Sequence, residues 1–485
     1  MNLCIIDHDF HYEMEKLTRV FFPDEKVNVL HELREEENFI VTKRIKNSAG
    51  DIIYVKAVVG EAEKEREELL PVGTNSDDTC ELKMAQILFD LLKEMLDYTP
   101  PWGVLTGVRP AKLMNKLIEE NGEKAAVDTF LNEFMVSEEK TSLALTVSKK
   151  ELPIMNESEE KSFSLYISVP FCPTRCAYCS FVSQSNEQAK KLIPEYVEKL
   201  CEEIKITGNI VKDLGLKLES VYYGGGTPTV LSAEQFRQVS TAIAESFDLS
   251  SVREYTVEAG RPDTITQDKL AAIKESHTSR ISINPQTFND SVLKEIGRKH
   301  TGKDAENAFL LARKNNFDNI NMDLIAGLPT DTPESFSDTL EKAISFSPES
   351  ITVHTLSLKR SSNIVQDNSE TNDALLVKEM LEIANKKLTE SGYEPYYMYR
   401  QSKCLGNFEN VGWAKKGYEC LYNVYMMEEC HSVIALGAGG VTKLKDPYSP
   451  KLERVYNHKY PYEYLGRFDE IIERKNQISE FYKNI

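Results

Sequence analysis

From Phe163 onward the chain alternates short β-type runs with amphipathic helical runs, and this alternation restricts the fold more than any other feature. FSLYISV, ESVYY, EYTVE, RISIN, NINMDLI and SITVHTL are strand candidates; PEYVEKLCEEIKITGNIVKDL, SAEQFRQVSTAIAESF and DAENAFLLARKNN are helical stretches between them. Six strands separated by helices predict a parallel sheet, either a partial α/β barrel or a doubly wound sheet. In parallel barrels, chemistry gathers at the carboxyl ends of the strands. The distinctive residues follow the strands in order: three cysteines after the first, GGGTPT after the second and Glu258 at the end of the third, with Gln286 after the fourth and Asp323 in the fifth. That regularity favours a barrel with its site on one face.

Cys172, Cys176 and Cys179 stand in SVPFCPTRCAYCSF, with three residues between the first pair and two between the second. Three thiolates can bind three irons of a 4Fe–4S cubane and leave the fourth iron without a protein ligand. An open metal position is where a substrate or cosubstrate coordinates. The spacing alone also admits a zinc site with a fourth ligand elsewhere, or thiols that merely pack as small hydrophobes. The loop's position, leaving a strand that ends in proline, favours the cluster. YYGGGTPT adds three glycines directly after the next strand, where backbone can approach a ligand closely. It lacks the Lys-Ser/Thr of a phosphate-binding loop.

A chain of 485 residues implies two or three domains. A net charge of −19 argues against general nucleic-acid or anionic-membrane binding. The start, MNLCIIDHDFHYEMEKL, has no cationic segment before an apolar core, so no signal peptide is expected, and no apolar run reaches bilayer-spanning length. The nine cysteines are mostly scattered, which suits a reducing cytoplasm rather than a disulfide framework. Residues 1–160 read as a small α+β domain of unknown role, with NLCII, FIVTKRI and DIIYVKAVV as sheet strands and ELKMAQILFDLLKEMLDY as a helix. Trp102, Arg109 and Lys112 lie in a turn leading into a second helix there, where packing and a solvated face explain them. ELPIMNESEEKS reads as a linker, 161–360 as the barrel core and 361–485 as a C-terminal α/β extension covering the substrate.

YISVPFCPTRCAYCSF, YYGGGTPT, RISINPQTF, GRKHT and NMDLIAGLP closely resemble the radical S-adenosylmethionine (SAM) family that contains the oxygen-independent coproporphyrinogen III oxidases. PWGVLTGVRPAKL, VEAGRPDTI and GNFENVGWAKKG look most like its HemZ-type branch, usually named as a coproporphyrinogen dehydrogenase. The resemblance implies a partial (β/α)6 barrel, a 4Fe–4S cluster and SAM. By motif, Cys172, Cys176 and Cys179 would ligate the cluster and Tyr166 would join them in the catalytic set. Tyr178 would pack near the adenine, and Gly224, Gly225, Gly226 and Thr227 would line the methionine end. Glu258 and Arg298 would hold its polar portion, Gln286 and Asp323 the ribose hydroxyls, while Ile325, Gly437 and Gly439 would border the adenine. The implied reaction is radical decarboxylation of two propionates of coproporphyrinogen III to vinyls in heme biosynthesis, with an unidentified electron donor and acceptor.

A tetracarboxylate needs cationic anchors, for which Arg261, Arg400 and Lys443 are candidates by position, and the aromatic run EPYYMYR is a candidate cavity wall. Two departures bear on the substrate. Phe181, preceded by Ser180, stands where the best-defined oxidases carry a further cysteine, and Ser168 stands where the family often has histidine. A heme-binding chaperone of the same family is the competing reading, but its HNxxYW-like segment corresponds here to Tyr422-Asn423-Val424-Tyr425-Met426-Met427. Another radical SAM enzyme acting on a tetrapyrrole, such as one of anaerobic heme degradation, is a third.

Overall fold

The structure is a computed structural model that describes residues 1–23, 25–34, 37–179, 184–185, 187–357, 374–401 and 404–485. Ser180 and Phe181 lie outside the described residues. The chain divides into two compact units, one of Met1–Ser148 with Tyr399–Phe408, the other of Lys149–Met398 with Glu409–Ile485.

In the first unit β1 (Asn2–Ile6), β2 (Asn28–Leu30), β3 (Phe39–Asn47), β4 (Gly50–Val59) and β5 (Ala62–Pro71) form a sheet in the order β2-β1-β3-β4-β5. Along β4, Ile53, Val55 and Ala57 are fully buried while Tyr54 and Lys56 between them are not, as the two-residue period of a one-sided sheet requires. Their face meets Met14, Leu17 and Phe21 of the helix His11–Phe21 and Met84, Leu88 and Leu92 of the helix Asp77–Leu96. Each such side chain removed from water contributes roughly 1.5–3 kcal/mol. β5, rich in Glu and mostly exposed, is the sheet's edge, where charge discourages further strand pairing.

The second unit contains six parallel strands in chain order: β6 (Ser162–Val169), β9 (Lys217–Gly225), β10 (Glu254–Glu258), β11 (Arg280–Ser282), β12 (Ile320–Ala326) and β13 (Ser350–Thr355). The short pair β7 (Phe171–Cys172) and β8 (Gln184–Ser185) lies between the first two in sequence. Helices Glu187–Leu214, Ala233–Ser246, Gln267–Glu275, Gly302–Lys314 and Pro333–Ser345 make the crossovers. Local sequence starts them where the fold needs them. Ser232 with Gln235 and Thr301 with Asp304 form reciprocal capping boxes, and Thr266 and Thr332 cap the Gln267–Glu275 and Pro333–Ser345 helices. The expected partial (β/α)6 barrel is therefore the architecture.

The sheet is larger than those six strands. β15 (Glu409–Ala414) joins β13 antiparallel, with β14 (Glu394–Arg400) beyond it. On the opposite edge β16 (Ser432–Leu436) runs parallel to β6, followed by β17 (Val441–Lys445) and β18 (Leu452–Tyr456). EPYYMYR is β14, in which Tyr396, Tyr397 and Met398 are buried. The expected linker differs too: its first half, through Asn156, completes the helix Glu138–Asn156, which contains Pro153. A proline forfeits its own N–H bond and strains one turn, a cost that a nineteen-residue helix can absorb near its end. Among the described residues no helix is long and apolar enough to cross a membrane.

Candidate functional site

The cysteine loop leaves β6 through Pro170. Cys172 ends β7 and is half-buried, Cys176 is buried and Cys179 is half-buried, all as free thiols. A turn in which the Cys179 N–H donates to the Cys176 carbonyl at 3.1 Å closes the loop, and the Ala177 N–H donates to the Ile296 carbonyl at 3.0 Å. The glycine run sits directly against it. A Cβ on Gly226 would fall 2.9 Å from Cys172 Sγ and 2.5 Å from the Phe171 carbonyl, and Gly225 has φ of +106°. Thr227 Oγ1 lies 3.4 Å from Cys172 Sγ as a donor. Only glycine therefore lets the end of β9 approach the first thiol so closely.

At the end of β10, Glu258 accepts a hydrogen bond from the Tyr222 hydroxyl at 2.6 Å. Burial pushes its pKa up to about 7, the Tyr222 bond pulls it down, and the charge of Asp323 raises it again. The Tyr222 ring forms a cluster with two others, 6.2 Å from Tyr166 and 4.3 Å from Tyr422, which are 6.0 Å from each other. Asp323, on β12, is pushed up by burial, but His354 beside it and the Asn321 amide at 2.7 Å outweigh that and hold it below the usual carboxylate range. His354 Nε2 stands 3.8 Å from its Oδ2. Gln286 is buried with φ of +69°. That left-handed conformation is strained for a side-chain-bearing residue. It is held by main-chain bonds to β12: its N–H donates to the Asp323 carbonyl at 2.9 Å, and the Ile325 N–H donates to its carbonyl at 3.0 Å.

Arg298 connects this group to the cysteine loop. Its guanidinium donates to the Asn284 carbonyl at 2.9 Å and to the Tyr178 hydroxyl at 3.0 Å. Burial opposes its charge, but Tyr178 and then Cys176 raise its pKa, so it stays a cation. Among the described residues its buried Nε has no hydrogen-bond partner. Gly437 and Gly439 follow β16, beside the end of β6. Gly437 has φ of +89°, and a Cβ there would meet the Tyr196 hydroxyl at 2.4 Å and the Ser168 carbonyl at 2.6 Å. Ser168, in the position where histidine is common, donates its hydroxyl to the Ala438 carbonyl at 2.7 Å and so ties β6 to this turn.

The three cationic candidates are all engaged elsewhere. Arg261 pairs with Asp263 and reaches Thr174 and Cys176. Arg400, in the first unit, donates to the carbonyls of Leu105 and Asn407 and lies over the buried Trp102 ring at 5.3 Å. Lys443 faces Glu429 at 3.4 Å. Side-chain position in sequence cannot reveal such local pairing. The motifs assign no site role to Tyr222, Tyr422 or His354, although Tyr222 stands in YYGGGTPT and Tyr422 in the segment compared with the chaperone. Tyr222 lies in the carboxyl half of β9 and His354 one residue before the end of β13, a signal the alternating runs offer; Tyr422 is brought in by the helix Leu421–Glu428, which no periodicity links to β9.

The donor set fits an iron–sulfur cubane with SAM on its open iron. Three thiols share one loop, a cradle that a Cβ would fill adjoins the first, and a buried arginine retains an unpartnered N–H. Among the described residues, no three His, Cys, Asp or Glu side chains are arranged to hold one metal ion. A cubane does not require such convergence, because each thiolate binds a different iron.

A (β/α)6 sheet carrying this loop defines a radical SAM protein, and residues 166–343 match the model of the Radical SAM superfamily. Such proteins use a 4Fe–4S cluster and SAM. Within that superfamily the chain belongs to the family of oxygen-independent coproporphyrinogen III oxidase-like proteins. It is 33% identical over 486 residues to the oxygen-independent coproporphyrinogen-III oxidase-like protein HemZ of Bacillus subtilis strain 168, covering 98% of this chain and 97% of that one. It is 31% identical to the heme chaperone HemW of Haemophilus influenzae over 64% of this chain and 78% of that protein. The structure of coproporphyrinogen III oxidase HemN from Escherichia coli superposes with a TM-score of 0.52 at 22% identity, covering 66% of this chain and 72% of that one, a likeness of fold.

Proposed function

We propose that the protein is a cytoplasmic, oxygen-sensitive coproporphyrinogen III dehydrogenase that converts two propionates to vinyls and yields protoporphyrinogen IX. The observation that carries this reading is similarity to an oxidase-like relative along 98% of the chain, whereas the heme chaperone match spans 64%. The helix Leu421–Glu428 supports it. Where the chaperone segment has histidine this chain has Tyr422, which is 4% exposed and stacked on Tyr222, so it offers no ring nitrogen to heme iron.

When bound, the cluster and SAM together supply a 5′-deoxyadenosyl radical able to take a hydrogen atom from an unactivated carbon. Cys172, Cys176 and Cys179 hold the cluster. The Glu258 carboxylate, when ionised, accepts the ammonium of SAM and Arg298 pairs with its carboxylate through the fork geometry that suits such groups. Asp323 and Gln286 accept and donate to the ribose hydroxyls, and Ile325 with the Gly437–Gly439 turn borders the adenine. Tyr166, whose ring lies beside Tyr222, Tyr422 and Gly224, would join the three cysteines in the catalytic set. Each propionate loses one hydrogen atom, one carbon dioxide and one electron, the last to an acceptor that is a separate molecule, as is the donor that reduces the cluster. The C-terminal extension would cover the tetrapyrrole; neither nucleic acid nor membrane takes part.

The test is anaerobic reconstitution of the cluster followed by addition of SAM, reductant, electron acceptor and coproporphyrinogen III. Mass spectrometry should show stepwise loss of two carboxyl groups alongside 5′-deoxyadenosine. Deoxyadenosine without vinyl product removes the substrate assignment. Stoichiometric, stable heme binding instead establishes the chaperone reading.

A further inference from the structure

Arg261 is the most completely fixed cation near the cysteine loop. It follows β10 by three residues, precedes Pro262 and is 4% exposed. Asp263 grips it from one side: Nε donates to Oδ1 at 3.0 Å and Nη2 to Oδ2 at 3.1 Å. Burial raises the Asp263 pKa, but this bidentate pairing overrides it and keeps the group a carboxylate. The other edge of the guanidinium faces the loop between the first two cysteines. Nη2 donates to Thr174 Oγ1 at 3.0 Å, and Nη1 reaches the Thr174 carbonyl at 3.5 Å and Cys176 Sγ at 3.6 Å. One side chain thus bridges the end of the third barrel strand to the metal-binding loop.

Among the described residues Asp263 is the one carboxylate paired with Arg261. His300 is buried, and its Nδ1 sits 4.0 Å from Asp263 Oδ1. Burial, then the charges of Arg298 and Arg261, push its pKa down to about 4, so the ring is neutral. Hydrogen bonds to ligating sulfur are among the main determinants of cluster potential, because reduction adds charge that an N–H donor stabilises.

We propose that Arg261 is a positioning residue that clamps the Thr174–Cys176 segment and, through its N–H on Cys176, makes the cluster easier to reduce. The proposal rests on the cluster reading of the three cysteines. A flexible ammonium at this position cannot span Asp263, Thr174 and Cys176 together, so the guanidinium shape matters as well as the charge.

The experiment compares wild type, R261Q and R261K, reconstituted without SAM and poised at one fixed potential, with the reduced cluster quantified by electron paramagnetic resonance. In R261Q the ratio of reduced to oxidised cluster should fall about tenfold, equivalent to ~59 mV for one electron. R261K should fall by about threefold or less, since its charge stays. A ratio in R261Q within twofold of wild type overturns the proposal. Amide exchange in cluster-free protein is the second readout. R261Q should exchange severalfold faster at Arg175–Cys179 with β10 unchanged, and unchanged loop exchange overturns the clamp. If R261Q takes up no cluster, this second readout decides. A wild-type chain that assembles no 4Fe–4S cluster refutes the cluster reading itself, while loop exchange still reports on the clamp.

Discussion

Replacing Lys475 with methionine should destabilise the second unit and loosen the turn that carries Gly437. Lys475 Nζ lies 2.9 Å from Glu203 Oε1, and the two side chains are 1% and 0% exposed. Glu203 also accepts the Gly437 N–H at 2.8 Å, the Tyr464 hydroxyl at 2.7 Å and the Asn457 amide at 2.7 Å. The substitution keeps the volume but leaves a buried carboxylate on three neutral donors. Breaking one side of such a pair costs about 3–5 kcal/mol, because the remaining charge cannot recover its hydration. For a unit of this size that is a fall of about 4–7 °C in melting temperature. The two tryptophans make the assay specific, since Trp102 lies in the first unit and Trp413 in the second. In a Trp102→Phe background, fluorescence of the buried Trp413 reports unfolding of the second unit alone. The double variant K475M/E203Q, with no buried charge left, should regain about half of the loss. A loss below about 1 kcal/mol in K475M would refute the claim that this pair sits in a low-dielectric interior.

The raised pKa of Glu258, about 7, predicts that SAM affinity strengthens as pH rises through that value, because only the ionised carboxylate accepts an ammonium. The same shift lowers folding stability as pH climbs from the unfolded carboxyl value of about 4.3 towards 7, since the folded state holds the extra proton. Tyr222→Phe removes a bond that favours the charged form and should move the binding midpoint upward, as read by titration calorimetry over a pH series; a midpoint that stays or falls contradicts the assignment. Gly226→Ala should abolish cluster uptake, measured as iron and sulfide per chain, because the added Cβ meets Cys172 Sγ at 2.9 Å and main chain at 2.5 Å. Gln286→Gly should leave stability unchanged or raise it by about 1 kcal/mol as the left-handed strain is relieved, while SAM binding weakens at least fivefold; equal binding would remove Gln286 from the site.

The order of strands and helices in the barrel was legible because period-two and period-3.6 runs are local, and the capping boxes at Ser232 and Thr301 are local too. RISIN reads as one strand, yet only Arg280–Ser282 pairs regularly; the chain then turns so that Gln286 bridges to Leu324. That turn depends on β12, more than thirty residues later, which no local propensity encodes. The linker reading missed the continuation of the helix Glu138–Asn156 for a similar reason: Glu151 is fully buried within it, a tertiary property invisible in a polar run.

By itself the sequence determined the chemistry on offer: three thiols at cluster spacing, a glycine run after the next strand, and acidic or amide groups at later strand ends. Those are one-dimensional facts, since a strand's carboxyl end is set by its own residues and parallel order places successive ends on one side. Tertiary structure decided which groups act on which. It spent Arg261 on Cys176 and Asp263, set Tyr222 between Glu258 and Tyr422, and closed the Gly437 turn over Ser168. The physical reason is that a charge or donor acquires its role from the partners left within hydrogen-bond reach after packing. Those partners here come from segments up to a few hundred residues away.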